Sequence, residues 1–587
     1  MRPIYRWIIA PPSKQAGPLA SALRTSPLIA QILLNRGLAT AEQCRQFLSP
    51  SLKHLHEPAE LPNAVAAAQH IVRAVRDRKR IVIYGDYDVD GITGIAILWH
   101  AIRLLGGQAD YYIPHRLEEG YGLNSEALAQ ICDAGAQLVV TVDCGITAIE
   151  QARLALDRGV EIIITDHHDL RRADAGADAP PVLPECTVAV HPRLPGSRYP
   201  NPWLCGAGVA LKVAWAMGQI DNPGGRVGGE YRQFLLEATS LAALGTIADV
   251  VPLRAENRVL AHYGLGGLRR SRLEGIKALI KSAGLTGKEL DSYHVGFMLA
   301  PRLNAAGRMG HAREAAEMLT TADAPTAARI AAALETKNRE RQALEKRIFE
   351  EAMAQVAAHG WDSVDHRALV LAAPHWHAGV IGIVASRVVN RLNRPTVMIA
   401  ACNGHGHGSA RSIPGFNLAE ALNACRAHLE ACGGHEMAAG LRVRMDKVDE
   451  FREAFCQYAL QRLAPEQMQP RLELECAARL AQMTPALVRE LARLGPFGTG
   501  NPRPVLFCPD VEITAPPRRV GRNGEHVQLL IRQDETRMKC VAFSQSDLAG
   551  ELRPGMRVDL AAEPIINDFN GSVSVELEIR DVRPACR

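Results

Sequence analysis

Three apolar, β-branched segments that each stop at a carboxylate constrain the fold of this chain more than any other feature. The segments occupy residues 81–84, 138–142 and 161–165, and they lead into Gly85-Asp86-Tyr87-Asp88-Val89-Asp90-Gly91, Asp143 and Asp166-His167-His168. With a fourth run at 187–190, they alternate with Ala- and Leu-rich helical segments, which predicts βαβ units and a parallel sheet covered on both faces. Because ligands bind beyond the carboxyl ends of such strands, the acidic and imidazole side chains are expected to meet at one edge of the sheet.

This set of side chains predicts a metal centre. Carboxylates that lie so close together repel one another unless a cation neutralises them. Asp oxygens mixed with neutral His nitrogens suit Mn²⁺, or Mg²⁺ with more water in its shell, and Asp249, within the apolar run 241–253, is expected to join them. Two such ions about 3.5–4 Å apart can activate a water molecule and hold both oxygens of a phosphoryl displacement. Any one of these residues alone is explained by an N-cap or a turn, so it is the combination that predicts metal-dependent phosphoester hydrolysis.

Composition indicates a multidomain globular protein without a membrane span. With 587 residues, 47% of them apolar, the chain is too long for one core. The net charge of +4 is too small to imply nucleic acid by itself. No apolar run approaches the ~18 residues of a membrane helix, and the apolar centre of the N-terminal segment is too short for a signal peptide. The 13 cysteines form no C-x-x-C pair, which disfavours a disulfide framework or zinc ribbon and predicts a cytoplasmic protein.

Changes of pattern along the chain predict a multidomain α/β architecture. The expected parts are an N-terminal accessory segment at 1–60, a parallel-sheet catalytic domain at 61–320, a connecting helix at 321–360, a smaller α/β domain at 361–465 and a C-terminal β-barrel at 466–587. The helix is expected to begin near Asp323 and Pro325 and to have a charged, solvated surface. In the barrel, Asn523-Gly524 and Asn570-Gly571 are typical of hairpin turns, and residues 572–580 alternate polar and apolar side chains as a half-buried strand does.

The motifs in the metal-site region resemble those of a known superfamily. The triplet Asp166-His167-His168 resembles the signature of the DHH phosphoesterases, and GDYDVDG, VDCGI at 142–146 and ADVVPL at 248–253 resemble the RecJ family of single-strand-specific exonucleases. The resemblance covers the chain after about residue 50. It implies a parallel-sheet DHH domain, a DHH-associated α/β domain and a C-terminal OB-fold barrel.

The resemblance also implies a set of metal ligands. The implied ligands are Asp88, Asp90, Asp143, His167 and Asp249, with Asp143 bridging the two ions. His168 is expected beside them, as a support for the ligands or a substrate contact. Asp86 either ligates an ion or orients the other ligands through a hydrogen bond.

A second signature, GGHEMAAG at 433–440, resembles the GGHxxAAG loop of DHH-associated domains. The glycines Gly433 and Gly434 let backbone amides approach a phosphate, and His435 can donate to an oxyanion, although a purely structural glycine loop explains the run equally well. In the nearby runs 377–387 and 406–412, the resemblance implies that DNA is contacted by Arg387, Ser409 and Arg411 and that His377 borders the cleft. We interpret His405 and His407 as loop residues rather than as a metal pair.

The run PRLNAAGRM at 301–309 carries Arg302, Asn304 and Arg308. Arginine forks suit terminal phosphates because they bind two oxygens at once; an interdomain salt bridge is the structural alternative. The resemblance implies that a 5′ end is held here, with Arg116 as a similar candidate, which would set the direction of cleavage.

In the barrel, strand binding is expected to be sequence-tolerant and salt-dependent. Aromatic side chains are few, and some of them must belong to the core. The candidates are Phe497, Phe507, Phe543 and Phe569, with Arg518, Arg519 and Arg522 at a hairpin that is either a phosphate contact or solvated surface.

The resulting prediction is a 5′-to-3′ exonuclease that degrades single-stranded DNA to 5′-mononucleotides with two Mn²⁺ or Mg²⁺ ions, in repair and recombination. One alternative is a DHH-type phosphodiesterase for short oligoribonucleotides or cyclic dinucleotides, and a second is a non-catalytic strand-binding scaffold. The expected partners are single-stranded DNA, a helicase and a single-strand-binding protein, and the expected state is a monomer. The role of residues 1–50 is left open.

Overall fold

The computed structural model describes residues 4–116, 118–171, 180–222, 224–225, 227–402, 404–569 and 572–585. The chain forms two compact units. The central unit consists of residues 50–343 together with 496–501, and the terminal unit consists of the residues before 50, residues 344–495 and those from 502 onward.

The central unit is built on the predicted parallel sheet. In spatial order its strands are Ala109–Tyr112, Ile81–Gly85, Leu138–Val142, Glu161–Thr165 and Val188–Val190. Every residue of Ile81–Gly85 and Leu138–Val142 is buried, which explains why the runs are continuously apolar rather than alternating. Gly85 lies opposite Val142 and Val142 opposite Thr165, so the three strands end level with one another and the acidic residues begin at the same edge.

Helices cover both faces of this sheet and form two apolar cores. They are Ala64–Arg76, Val89–Leu104, Ser125–Asp133, Ile149–Asp157, Gly206–Asp221, Gly229–Ala248, Ala255–Leu268, Glu274–Ser282, Ser292–His294, Ala300–Met309 and Arg313–Thr320, with short 3₁₀ turns at Leu52–His54 and Pro58–Glu60 and a π-helical turn at Val295–Leu299.

The predicted connecting helix spans Ala324–His359, 36 residues, or about 54 Å at 1.5 Å per residue. Asp323 caps its first turn, because its side chain accepts a hydrogen bond of 2.9 Å from the backbone N–H of Thr326. Residues up to 343 belong to the central unit and the rest to the terminal unit. Among the described residues, every helix is too short or too polar to cross a lipid bilayer.

The terminal unit contains the smaller α/β fold predicted from the sequence. Its five-stranded sheet has the spatial order Ala431–Gly434, Ala438–Arg444, His405–Arg411, Thr396–Cys402 and Leu369–Ala373. The surrounding helices are Ala378–Leu392, Leu418–Ala424 and Val448–Arg462, with 3₁₀ turns at Arg426–His428, Met445–Lys447 and Pro465–Met468.

Two local predictions in this sheet were wrong. His405 and His407 lie in a strand rather than a loop, because His405–Arg411 pairs on both sides with neighbouring strands. The glycine run at 433–440 likewise forms a β-hairpin rather than a loop, because Ala431–Gly434 pairs with Ala438–Arg444. In His405–Arg411, pairing on both sides outweighs the weak strand preference of its two glycines, Gly406 and Gly408.

The C-terminal region is the predicted barrel. Its closed ring consists of Leu506–Ile513, Arg557–Phe569, Ser572–Pro584, Thr536–Ala542 and His526–Gln533, and Arg518–Val520 adds a sixth strand. The helices Pro485–Ala492 and Leu548–Glu551 and the 3₁₀ turn Leu480–Gln482 accompany it. Gly524 has a φ of 67°, as a tight turn at Asn523-Gly524 requires, whereas Asn570-Gly571 lies outside the described residues.

The N-terminal segment belongs to the same unit as the barrel. Its strand Arg6–Ile9 pairs in parallel with Arg471–Leu474, and helices follow at Ala16–Leu23, Pro27–Asn35 and Ala41–Leu48. Trp7 donates from Nε1 to Asp581 at 2.8 Å, and Thr25 donates to Glu490 at 2.9 Å. Residues 4–48 are therefore attached to the barrel region by strand pairing and by polar side chains.

Candidate metal centre

The first acidic motif forms the turn between the strand Ile81–Gly85 and the helix Val89–Leu104. Asp88 caps the helix, since Oδ1 accepts hydrogen bonds from the backbone N–H groups of Asp90 at 2.9 Å and Gly91 at 3.2 Å. The turn is so tight that a Cβ at Gly91 would lie 2.5 Å from the carbonyl oxygen of Asp86. The glycine therefore lets three carboxylates follow one strand.

Asp90 is fixed against the start of another helix. Its oxygens accept hydrogen bonds from the backbone N–H groups of Gly206 at 2.6 Å and Ala207 at 2.9 Å, at the N-terminus of Gly206–Asp221, where the helix dipole favours negative charge. A Cβ at Gly245 would lie 2.3 Å from Oδ1 of Asp90. These contacts hold the carboxylate in one orientation within the buried site.

Asp143 has an unusual backbone. Its φ is 64°, in the left-handed region that Asp tolerates better than most residues, and its N–H donates to the carbonyl of Thr165 at 3.0 Å. A Cβ at Gly206 would lie 2.6 Å from the Cβ of Asp143. The left-handed turn thus directs a buried carboxylate beyond the strand end, against the same helix start that binds Asp90.

Asp166 orients the two histidines that follow it. Its oxygens accept from His167 N at 2.7 Å, His168 N at 3.1 Å, His168 Nδ1 at 2.7 Å and Ile146 N at 2.9 Å. Burial acts to raise the pKa of Asp166, but the hydrogen bond and charge of His168 outweigh burial and lower it. Burial would lower the pKa of His168, yet Asp166 raises it to about 9. Because both of its oxygens already accept hydrogen bonds, Asp166 orients the histidines and is not a candidate ligand.

His167 reaches three carboxylates at once. Its Nε2 lies 3.0 Å from Asp143 Oδ1, 3.7 Å from Asp90 Oδ2 and 3.6 Å from Asp249 Oδ2. Burial, followed by the positive charge of His168, lowers the pKa of His167 to about 4, so the imidazole is neutral near pH 7 and has a lone pair to offer.

Asp249 follows the last residue of the helix Gly229–Ala248. Its N–H donates to the carbonyl of Gly245 at 2.8 Å, and the next residue, Val250, has a φ of 61°. Burial and then the charge of Asp90 raise the pKa of Asp249 well above its usual value. Burial and neighbouring carboxylates raise the pKa values of Asp86, Asp90 and Asp143 in the same way.

The predicted ligands form three overlapping groups in which the ligand atoms lie within 4.8 Å of one another. The groups are Asp86, Asp88 and Asp143; Asp90, His167 and Asp249; and Asp143, His167 and His168. Asp86 Oδ1, Asp143 Oδ1 and His167 Nε2 are buried, yet none makes a hydrogen bond within the described part of the chain. Buried polar atoms without partners are costly, and this donor set of carboxylates and neutral imidazole fits divalent cations such as Mn²⁺ or Mg²⁺.

Sequence reasoning missed one residue of this site. The hydroxyl of Tyr121 lies 3.0 Å from each ring nitrogen of His168 and 3.5 Å from the carbonyl oxygen of Asp143, while the residue is 54% exposed. Its neighbours Gly120 and Gly122 both have positive φ, 82° and 85°. An aromatic residue between two glycines was the only available signal.

Two of the predicted phosphate contacts lie against the first acidic motif. Asn304 accepts a hydrogen bond of 3.2 Å from the N–H of Val89, and the guanidinium of Arg116 lies 4.8 Å from the centre of the Tyr87 ring. Burial and Asp86 raise the pKa of Tyr87, whereas the charges of Arg116 and Arg308 act to lower it. The charge of Arg308 therefore also acts on this motif.

Arg302 is engaged differently, in an ion pair of 2.7 Å with Glu335 on the connecting helix. Both side chains are mostly buried, 12% and 18% exposed. This is the salt-bridge arrangement that the sequence left open, although here both partners lie within the central unit.

In the terminal unit, several predicted substrate contacts gather around one helix and one sheet. His377 caps the helix Ala378–Leu392, and a Cβ at Gly382 of that helix would lie 2.8 Å from Ser409 Oγ and 3.2 Å from Arg411 Nη2. Ser409 lies opposite Gly440, which lies opposite Gly433.

The remaining candidates in this unit already have protein contacts. Arg387 pairs with Glu345 at 3.1 Å and lies 4.4 Å from the centre of the Phe349 ring. Gly434 has a φ of 143°, and His435 donates from its backbone N–H to Ala438 at 2.8 Å. The roles of these residues remain predictions.

Comparison with known proteins places this geometry in a family. The DHH family N-terminal domain matches residues 80–246, the DHHA1 domain residues 365–461 and the RecJ OB domain residues 474–581. The single-stranded-DNA-specific exonuclease RecJ of Bacillus subtilis is 38% identical, over 98% of this chain and 70% of that protein. RecJ of Escherichia coli is 32% identical, over 95% of this chain and 96% of that protein.

A solved structure agrees with these relatives. The crystal structure of RecJ in complex with Mn²⁺ from Thermus thermophilus superposes with a TM-score of 0.82 at 32% identity, over 99% of this chain and 80% of that one. A second structure of that protein is a complex with Mg²⁺. The fold and its metal centre are those of a DHH-type phosphoesterase, and the chain belongs to the RecJ family of single-stranded-DNA-specific exonucleases. The predicted resemblance, fold class and choice of Mn²⁺ or Mg²⁺ are confirmed.

Proposed function

We propose that this chain is a 5′-to-3′ exonuclease that hydrolyses single-stranded DNA to 5′-mononucleotides. The observation that carries the proposal is a cluster of buried carboxylate and imidazole atoms, three of which make no hydrogen bond among the described residues, in a chain of this family. When two divalent cations are bound, they supply a water nucleophile of lowered pKa and offset the charge that develops on the phosphate. Water attacks the phosphorus of the terminal linkage, the 3′ oxygen leaves, and a 5′-mononucleotide is released.

The ligand roles proposed for this chain follow its geometry. Asp88, Asp90, Asp143, His167 and Asp249 would hold the cations. Asp143, like His167, belongs to two of the three groups, which supports the predicted role of Asp143 as a ligand shared by both cations. Direct ligation by Asp86 is favoured over a purely orienting role, since its buried Oδ1 has no hydrogen-bond partner among the described residues.

His168 is proposed to act beside the ligands. Its Nδ1 lies 3.9 Å from Asp143 Oδ1 and is held by Asp166, and its ring contacts Tyr121. From this position it can donate a hydrogen bond to a phosphate oxygen.

The direction of cleavage is proposed to depend on a pocket for the terminal phosphate. Arg116, Asn304 and Arg308 act on the first acidic motif or contact it directly, and guanidinium groups suit a terminal phosphate. Arg302 is proposed to support them through Glu335. The proposed contacts to the DNA backbone in the terminal unit are His377, Arg387, Ser409, Arg411, Gly433, Gly434 and His435.

The test uses the purified full chain with Mn²⁺ on a single strand labelled at either end. Mononucleotide release from the 5′ end of the single strand, much slower on a blunt duplex and lost in Asp143→Asn, would support the proposal. Asp133→Asn is the matched control, because Asp133 is an exposed helix residue that pairs with Arg158 at 2.8 Å. Release from the 3′ end would contradict the polarity, and turnover confined to short RNA oligomers would favour a small-substrate phosphodiesterase.

The wider setting of the activity is part of the same proposal. A helicase and a single-strand-binding protein are natural partners because the strand must first be separated, and repair and recombination are the corresponding processes. The 13 cysteines form no C-x-x-C pair, which supports a cytoplasmic location. We also propose that the protein is a monomer. We further propose that it has five parts, with boundaries at residues 60, 320, 360 and 465, which the changes of sequence pattern support.

A further inference from the structure

Residues 496–501 belong to a different unit from the residues on either side of them. They lie between the helix Pro485–Ala492 and the barrel strand Leu506–Ile513, yet they pack in the central unit, whereas Gly495 and Pro502 on either side belong to the terminal unit. The sequence of this segment, Pro-Phe-Gly-Thr-Gly-Asn, has no periodicity that would assign it to a helix or strand.

The segment is a closed turn with its own hydrogen bonds. The backbone N–H of Gly498 donates to the carbonyl of Asn501 at 2.9 Å, and the reverse bond is 3.0 Å. The side chain of Asn501, 1% exposed, donates to the carbonyl of Pro496 at 2.7 Å. Gly500 has a φ of 71°, a conformation that glycine adopts without strain.

This turn binds the loop that carries Asp249. The carbonyl of Thr499 accepts a hydrogen bond of 2.8 Å from the N–H of Leu253, and the carbonyl of Gly500 accepts one of 2.9 Å from Nε of Arg254. A Cβ at Gly498 would lie 2.8 Å from Cδ1 of Leu253. The side-chain hydroxyl of Ser292 also donates to the carbonyl of Phe497.

The loop needs such support because its backbone is strained. Val250, directly after Asp249, has a φ of 61°, and Ala255 has a φ of 45°. A β-branched residue in this region is a clear outlier, and such backbone strain persists only where the surroundings fix it. Val250 is 64% exposed, so its own packing contributes little to holding the conformation.

A buried side chain supports the loop from a second direction. Asn257 donates from Nδ2 to the carbonyl of Pro252 at 3.1 Å and to that of Trp203 at 2.6 Å. Trp203 lies shortly before the helix start that binds Asp90. The Asp249 loop is thus tied to the Asp90 site by Asn257 and to the 496–501 turn by Leu253 and Arg254.

We infer that residues 496–501 form a clamp that positions Asp249 relative to Asp90 and His167, and so sets the affinity of the centre for its cations. The clamp residues are positioning residues, because they touch the loop and not the reacting atoms. The inference rests on the proposed ligand role of Asp249.

The test compares two glycine substitutions in the full chain. In Gly500→Ala the new Cβ would lie 3.1 Å from Nε of Arg254 and 3.2 Å from Cβ of Pro252. Gly555→Ala is the matched control, since Gly555 has a φ of 83° and nothing within 4 Å of the added atom. Both carry the strain of a positive φ, and only the first pushes on the loop.

The readouts are Mn²⁺ affinity by isothermal titration calorimetry, the metal-free melting temperature, and kcat and KM on a dinucleotide and on a long single strand. For Gly500→Ala we expect about 10-fold weaker Mn²⁺ binding and a lower kcat on both substrates, with a metal-free melting temperature equal to that of Gly555→Ala. If Gly500→Ala binds Mn²⁺ as tightly as the wild type and only its KM for the long strand rises, the clamp is rejected. Residues 496–501 would then be a simple linker.

Two further variants keep the test decisive. Arg254→Met removes the donor to the carbonyl of Gly500 and keeps an apolar side chain of similar length. It tests the clamp if Gly500→Ala does not fold. We expect it to weaken Mn²⁺ binding, as Gly500→Ala does. Asp249→Asn is the reference: if it binds Mn²⁺ as tightly as the wild type, the proposed ligand role fails. If only Asp249→Asn loses affinity, the ligand role stands and the clamp is rejected.

Discussion

Buried carboxylates occur both at the metal centre and in the C-terminal barrel, and the two sets differ in what surrounds them. In the barrel, Asp559, Glu563, Glu576 and Asp581 are 3–7% exposed, and each has a partner within the protein. The partners are Arg583 at 3.3 Å for Asp559, Arg580 at 2.7 Å for Glu563, Lys539 at 3.0 Å for Glu576 and Trp7 at 2.8 Å for Asp581.

At the metal centre, by contrast, Asp86 and Asp143 each have a buried oxygen that makes no hydrogen bond among the described residues. The imidazole nitrogen 3.0 Å from that oxygen of Asp143 belongs to His167, whose lowered pKa keeps it neutral near pH 7. A buried charge needs a partner. The difference therefore separates carboxylates that stabilise the fold from carboxylates that no described cationic side chain neutralises, as is expected of ligands for a divalent cation. Four measurements test whether the two sets of carboxylates differ in this way.

The largest effect is expected for Asp143→Asn. Loss of a candidate ligand should lower kcat by more than ~100-fold. Loss of a residue that only hydrogen-bonds to a ligand costs at most about 100-fold, so a larger effect distinguishes a ligand from such a residue. The metal-free melting temperature should not fall, because a neutral amide avoids the burial of charge and the repulsion from Asp90 that raise the pKa of Asp143. A variant that loses both activity and metal-free stability would show that Asp143 is structural, as the barrel carboxylates are.

Added Mn²⁺ should stabilise the wild type by about 2.7 kcal/mol at 100 times its Kd. Differential scanning calorimetry with and without the ion checks this, and the gain should disappear in Asp143→Asn. Glu563→Gln should keep the full gain. Equal stabilisation of both variants would place the ion binding elsewhere in the molecule.

Glu563→Gln should destabilise the metal-free protein by about 1–2 kcal/mol. This is less than the ~3–5 kcal/mol of a fully buried pair, because Arg580 is 39% exposed. Urea unfolding measures the loss, and kcat on a dinucleotide should stay at the wild-type value. A fall in that kcat would contradict the purely structural role of this carboxylate.

The smallest effect is expected for Tyr121→Phe, which removes the hydroxyl beside His168. Because Tyr121 is 54% exposed, loss of its hydrogen bond is expected to cost about 0.5–1.5 kcal/mol, and kcat on a dinucleotide should fall by roughly 2- to 10-fold. Tyr263→Phe is the control, since that hydroxyl donates to Pro50 at 3.1 Å and contacts none of the proposed ligands. Equal rates for the two variants would remove Tyr121 from the site.

The sequence predicted those parts of the molecule that local patterns encode. The three strands were found because they are buried on both faces and therefore read as continuous β-branched runs. Their level ends could then be inferred to bring Asp86, Asp143 and Asp166 together. The connecting helix, the Asn523-Gly524 turn and the barrel follow from local signals of the same kind.

The missed features depend on partners distant in sequence. His405 and His407 are in a strand only because two neighbouring strands pair with them. Nothing around Arg302 indicates that Glu335, on another helix, neutralises it. The contact between residues 496–501 and the Asp249 loop joins segments about 250 positions apart, so no local pattern could reveal it.

The parallel pairing of Arg6–Ile9 with Arg471–Leu474 has a consequence for synthesis on the ribosome. The first strand of the chain emerges long before its partner, and Trp7 waits even longer for Asp581, 574 positions later. At roughly 5–20 residues per second, the nascent N-terminal segment remains without its native neighbours for tens of seconds. During that interval the backbone N–H and C=O groups of Arg6–Ile9 have no native strand partner, so this strand can pair only after residues 471–474 have been synthesised.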